Sequence, residues 1–194
     1  MREILQDLPM TFIPLFVAID PFGMLPVFTS FTRDMEEREK KDVIKYATVT
    51  ALVVSIAFAF IGDAVFGILG ITVDDFKIAG GLLLLVLAII ELSGKGGDQK
   101  KAHDIGIVPL GVPMIAGPAV LTLMIVLIDR FGVAPTIISL VINLVIVFVV
   151  FSAEKGLTVL IGKNGLLAIS KIVALLLAAI AVMLIRIGIE SYIG

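Results

Sequence analysis

The chain has 194 residues, 59% of them hydrophobic and 16% charged, with a mean hydropathy of +1.15. Soluble domains average ~45–50% apolar even when Gly is counted, so a water-soluble globule is all but excluded. A formal net charge of −2 without a basic stripe leaves no footprint for nucleic acid, and the absence of Cys removes disulfides and thiolate chemistry.

A hydrocarbon core of ~30 Å needs about 20 mostly apolar residues per helix, and six stretches meet that need. The first covers 9–31, with Asp7 and Pro9 at its start in place of a cleavable leader, and contains Asp20-Pro21-Phe22-Gly23-Met24-Leu25-Pro26. A separator of mixed sign, 33–45, a solvated cytoplasmic loop or helix extension, leads to the second span, 44–66, which carries Thr48 and Ser55 on one face and Asp63 near its far end. After a turn at 70–75 comes the third span, 76–93, with Gly80 and Gly81. The loop 94–104 holds the single His103 among Lys100, Lys101 and Asp104 and reads as solvated; its glycines and Lys95 lack the spacing of a phosphate-binding loop, so no nucleotide or other cofactor is expected. The fourth span, 105–128, contains Pro113-Met114-Ile115-Ala116-Gly117-Pro118. The fifth, 135–153, sets Thr136, Ser139 and Asn143 on one face, and the sixth, 165–190, carries the small residues Ala174, Ala178, Ala179 and Ala181 and then Arg186 and Glu190.

These runs lack the ten-residue alternation of a membrane barrel, so the expected fold is all-α, a polytopic membrane protein of six helices. Eleven Lys and Arg lie in or beside the separators after the first, third and fifth spans, against four on the other side. That bias places the first group in the cytoplasm and both termini outside a plasma membrane.

Two prolines five residues apart enclose a glycine in both the first and the fourth span. An offset of 92 relates Pro21 to Pro113, Pro26 to Pro118, Gly70 to Gly162 and Leu83-Leu84-Leu85 to Leu175-Leu176-Leu177. A shared offset at separate places indicates a duplication: a three-helix repeat over 1–94, a cytoplasmic linker over 95–104, and a second repeat over 105–194. Three is odd, so the second copy enters the bilayer upside down, which is the inverted repeat of secondary transporters. Proline removes a backbone donor and clashes with the preceding turn, so helices one and four are expected to break near the midplane. The freed N–H and C=O groups must be buried in protein or face a polar cavity. Half-helices meeting there suit a zwitterion, and the alternative is a pair of kinks that only shape packing.

Asp20 is the one acid that counts to the centre of a span, where ionisable groups are expensive. It stands as the partner of a substrate ammonium, as a coupling carboxylate, or as a cap on the second half-helix. Asp63 is a second ion-coupling candidate, and with Arg186 it forms either an outer gate or a pair of snorkelling interfacial residues. The stripe of Thr136, Ser139 and Asn143 either lines a path or hydrogen-bonds a neighbouring helix. The expected substrate-binding set is Asp20, Pro21, Phe22, Gly23, Met24, Ala116, Gly117, Pro118, Ala119 and Asn143. Its small walls would select small solutes by exclusion.

These motifs resemble the MarC family of bacterial and archaeal membrane proteins. The matching elements are Asp20-Pro21-Phe22-Gly23-Met24-Leu25-Pro26-Val27-Phe28, Ile78-Ala79-Gly80-Gly81, and the stretch from Pro109 to Pro118. The resemblance implies uptake of small neutral amino acids, glycine and alanine first and serine next, driven by an ion gradient with the proton as the expected coupling ion. Some relatives have Asn at the position of Asp20, so the family does not assign Asp20 the proton. The chain is expected not to be an enzyme, and an oligomer is compatible with it. An exporter or flippase for another small solute, a membrane scaffold, and a hydrolase using Asp20 and Asp63 are the competing readings.

Overall fold

The computed structural model describes residues 2–93 and 115–193. Among them run seven helices: α1 (Arg2–Ile19), α2 (Leu25–Phe31), α3 (Glu37–Leu69), α4 (Val73–Leu92), α5 (Pro118–Phe131), α6 (Val133–Ser152) and α7 (Glu154–Ile193). The expectation for 94–114, including Pro113 and His103, lies outside the described residues.

Local chemistry sets the boundaries. The charged separator continues as helix: Glu36 and Glu39 form a capping box, the Glu39 carboxylate accepting from the Glu36 amide at 2.9 Å, so α3 starts seven residues before the apolar run. Thr72 caps α4 in the same way, its hydroxyl accepting from the Asp75 amide at 3.0 Å. Between α3 and α4 Gly70 takes φ 68°, and within α7 Gly162 takes φ 72° with ψ 163°, interrupting that helix. The sixth span therefore continues a helical segment that begins at Glu154, where sequence reading placed a separator.

Helix order and side-chain pairs fix the directions. Leu8 and Phe12 of α1 meet Ser139 and Asn143 of α6 in increasing order, so these two helices run parallel. Asp74 at the start of α4 accepts from Ser191 near the end of α7, and Glu91 at its end accepts from Ser170, so α4 and α7 are antiparallel. Gly81 lets the two approach closely: a Cβ there would stand 2.8 Å from the Ala181 carbonyl oxygen. One end of the bundle gathers Thr29, Glu37, Lys40, Glu154 and Lys155, and the other gathers Asp74, Asp75, Lys77, Asp129, Ser191 and Tyr192.

A core led by Leu15, Ile19, Phe28, Leu84, Met124 and Leu140 is buried, while large aliphatic side chains cover the outside, Ile68, Val159 and Leu160 being 84–86% exposed. A soluble monomer does not present apolar surface on this scale, whereas a lipid-facing bundle must. Three helical segments are long and apolar enough to cross a bilayer unaided: Glu37–Gly62, Val133–Ser152 and Asn164–Tyr192. The other expected spans differ for identifiable reasons. The first is divided between α1 and α2, the helix that holds the third, α4, carries Asp74, Asp75, Lys77 and Glu91, and α5 is only the 14-residue later part of the fourth.

Candidate functional site

The helix break expected at Asp20 is present. α1 ends at Ile19, the Asp20 amide makes the last helical hydrogen bond to Phe16 O at 3.0 Å, and Asp20 turns to φ 43°. A positive φ on a non-glycine residue costs about 1–3 kcal/mol and persists only where its surroundings enforce it. Here the Asp20 side chain supplies part of the enforcement, its Oδ1 accepting from the Gly23 amide at 3.0 Å. Met24 N donates to Asp20 O at 3.1 Å and Leu25 N to Phe22 O at 3.2 Å, closing the turn, and α2 then starts with Pro26 in its first turn. The amides of Gly23, Met24 and Leu25 are thus satisfied internally, while the last carbonyls of α1 lose their helical donors.

The second break has the opposite character. α5 begins at Pro118, and Gly117, the residue that caps it, has no side chain to offer the amides of Ala119 and Val120. Gly117, Ala116 and Ala119 are buried, whereas Pro118 is exposed. α1 packs against α5, and Ile19, Leu25, Ile115, Ala116 and Ala119 belong to one apolar cluster, with Phe22 and Met24 against it. α1 therefore lies against α5, the first with a carboxylate and carbonyls freed at its end, the second with amides uncapped at its start.

Gly23 sits at the tightest point. A Cβ there would lie 2.1 Å from Asp20 Oδ2 and 2.9 Å from Ser170 Oγ. Ser170, buried on α7, donates to Glu91 Oε1 at 2.5 Å, and Lys171 Nζ donates to the backbone carbonyls of Glu91 and Leu92. Sequence reading missed Ser170, Glu91 and Lys171. The last-turn acid of a span reads as an interfacial residue, and nothing in the pattern shows that α7 brings it to Asp20.

Asn143 lies elsewhere. Its Nδ2 donates to Phe12 O at 3.2 Å and to Ser139 O at 2.9 Å, two helical turns of α1 before Asp20, or about 12 Å along the axis. Thr11 and Ser139 share a 2.7 Å hydrogen bond in the same seam, so the polar stripe joins α1 to α6, while Asn143 Oδ1 stays buried without a partner. Arg186 pairs with Glu190 at 3.4 Å on the exposed face of α7. Asp63 belongs to α3, and its side chain lies outside what is described. No group of His, Asp and Glu among the described residues could hold a metal ion.

Continuous apolar helices, a lipid-facing exterior and a broken helix with a half-buried carboxylate define a polytopic helical membrane protein. The model of the MarC family, described as MarC family integral membrane protein, matches residues 5–193, and the chain belongs to that family. It is 30% identical to the UPF0056 membrane protein MJ1677 of Methanocaldococcus jannaschii over 96% of this chain and 98% of that one. It is 28% identical to a UPF0056 membrane protein of Buchnera aphidicola from Schizaphis graminum and 28% to the UPF0056 membrane protein YhcE of Escherichia coli K12, each over 93% of this chain and 90% of the relative. No solved structure matches the chain.

Proposed function

We propose that the chain is a secondary active transporter, not an enzyme, that takes up small neutral amino acids, glycine, alanine and serine, across the plasma membrane with protons as the coupling ion. The complementarity of the two breaks carries this reading. Asp20 and the freed carbonyls of α1 suit an ammonium group, and the uncapped amides of Ala119 and Val120 suit a carboxylate. Pro21, Phe22, Gly23, Met24, Ala116, Gly117 and Pro118 form the walls, which leave little room for a side chain.

Six spans in two inverted repeats belong to the same reading. Supporting it, Pro26 and Pro118 each open a helix, Gly70 and Gly162 each take positive φ, and α1 against α6 corresponds to α5 against α3 when the halves are exchanged. The bundle end with Lys40 and Lys155 faces the cytoplasm and both termini lie outside.

The test is radiolabelled glycine flux into proteoliposomes under imposed pH and sodium gradients. The wild type accumulates glycine when the side of entry is acidic and excludes leucine, and Asp20→Asn abolishes the dependence on the gradient. Asp20→Asn flux equal to wild type in rate and gradient dependence removes Asp20 from coupling, and wild-type vesicles that take up no glycine overturn the reading.

A further inference from the structure

Asp20 does not face an apolar wall. Gly23, by lacking a side chain, leaves its carboxylate open to Ser170 Oγ, and the Ser170 proton points at Glu91 Oε1. Both lone pairs of the Ser170 oxygen are thereby free to accept from Asp20. One turn and two helices contribute one member each: the α1–α2 turn, α7 and α4.

Among the described residues the charged groups around Glu91 are few. Lys171, on α7, has its ammonium committed to the carbonyls of Glu91 and Leu92, which caps the end of α4, and among the described residues no ion pair reaches the Glu91 carboxylate. The charged groups of α5, Asp129 and Arg130, stand at the far end of the bundle, where Asp129 meets Lys77. Asp20 and Glu91 thus approach one hydroxyl from two sides, Glu91 through a hydrogen bond and Asp20 across the space left by Gly23. Glu91 is half-exposed and lies in the last turn of α4, so it reaches water at that end of the bundle.

We propose that Glu91 and Ser170 complete the coupling site and form the route by which a proton leaves Asp20 for the aqueous side at the end of α4. The inference rests on the proton-coupled reading above. In the step, the Asp20 carboxylic acid gives its proton to Ser170 Oγ while the original Ser170 proton passes to Glu91. Asp20 is left ionised, Ser170 unchanged and Glu91 protonated, and Glu91 then releases the proton to water. Ser170 is the relay in this scheme and Glu91 the exchange group.

The experiment uses the full chain in proteoliposomes with three readouts: glycine–glycine exchange without a gradient, glycine accumulation driven by a pH gradient, and proton entry reported by a trapped pH dye. Glu91→Gln keeps the acceptor for Ser170 and removes the titratable group. It is expected to retain exchange, to lose gradient-driven accumulation by about tenfold or more, and to flatten the pH profile of uptake. Ser170→Ala is expected to slow proton entry with the KM for glycine unchanged, and it reads the same step if Glu91→Gln does not reconstitute. A proton-coupled wild type beside Glu91→Gln and Ser170→Ala variants with unaltered accumulation and pH profile overturns this proposal alone. A wild type that exchanges glycine without moving protons overturns the coupling reading and the route together.

Discussion

Gly70 and Gly162, 92 positions apart, both hold φ near +70°, and neither would bring a Cβ within 4 Å of any neighbour. Their requirement for glycine is conformational, and it differs in degree. Gly70 has ψ 25°, in the left-handed region that Asn tolerates, whereas Gly162 has ψ 163°, in a region that belongs to glycine alone. Ala at either position is expected to cost about 1–2 kcal/mol. Asn restores most of the loss at 70 and none at 162, which thermal unfolding in detergent measures.

Gly23 is constrained by space. Gly23→Ala pushes against the Asp20 carboxylate and the Ser170 hydroxyl at once. Both are movable side-chain ends, so the protein still folds, but the site loses its geometry. Glycine flux is expected to fall by about tenfold to a hundredfold with little change in melting temperature. Wild-type flux in Gly23→Ala would show that the carboxylate can stand elsewhere.

Two ion pairs at one end of the bundle carry different weight. Glu154 accepts from Lys40 at 2.9 Å and from Thr29 at 3.1 Å, and both charged side chains are largely buried beside a cavity of about 170 Å³. Lys40→Met leaves Glu154 an uncompensated buried charge and is expected to destabilise by about 3 kcal/mol. Lys155 and Glu37 are close at 2.6 Å but exposed to water, and Lys155→Met is expected to leave the melting temperature unchanged.

The start of α4 makes stability depend on acid. Hydrogen bonds from the Tyr192 hydroxyl and then from Thr72 hold Asp75 below its ordinary 3.8, and Ser191 and then Lys77 do the same for Asp74. Each carboxylate is lower in the folded protein than in the unfolded chain, so its contribution is present above pH 3.8 and is lost as pH falls through the folded value. Melting temperature is expected to drop below about pH 4, and less steeply in Asp75→Asn, whose side chain has no charge to lose.

Proline and glycine made the breaks legible, because their backbone restrictions act wherever they occur. Asp20–Met24 and the start of α5 at Pro118 follow directly. The stripe of Thr136, Ser139 and Asn143 was readable as a polar face, and its partner, α1, became visible only in the fold. Charge misled where it was absorbed by capping or pairing. Glu36 and Glu39 begin the helix extension that stood beside a solvated loop as a reading of 33–45, whereas Glu154 is buried against Lys40 where a separator was expected. Glu91 and Ser170 escaped because their meeting depends on the antiparallel packing of α4 on α7, a relationship between residues 79 positions apart.

The parallel seam between α1 and α6 sets a timetable for biogenesis. Thr11 leaves the ribosome 128 residues ahead of Ser139, its hydrogen-bonding partner, an interval of roughly ten seconds at ordinary elongation rates. During that wait the Thr11 hydroxyl is held within its own helix, by the carbonyls of Asp7 and Leu8, and the bond between helices is added only when the fifth span arrives. The seam between α1 and α6 is therefore among the last to close, after the helices that separate its two halves in the chain have been made.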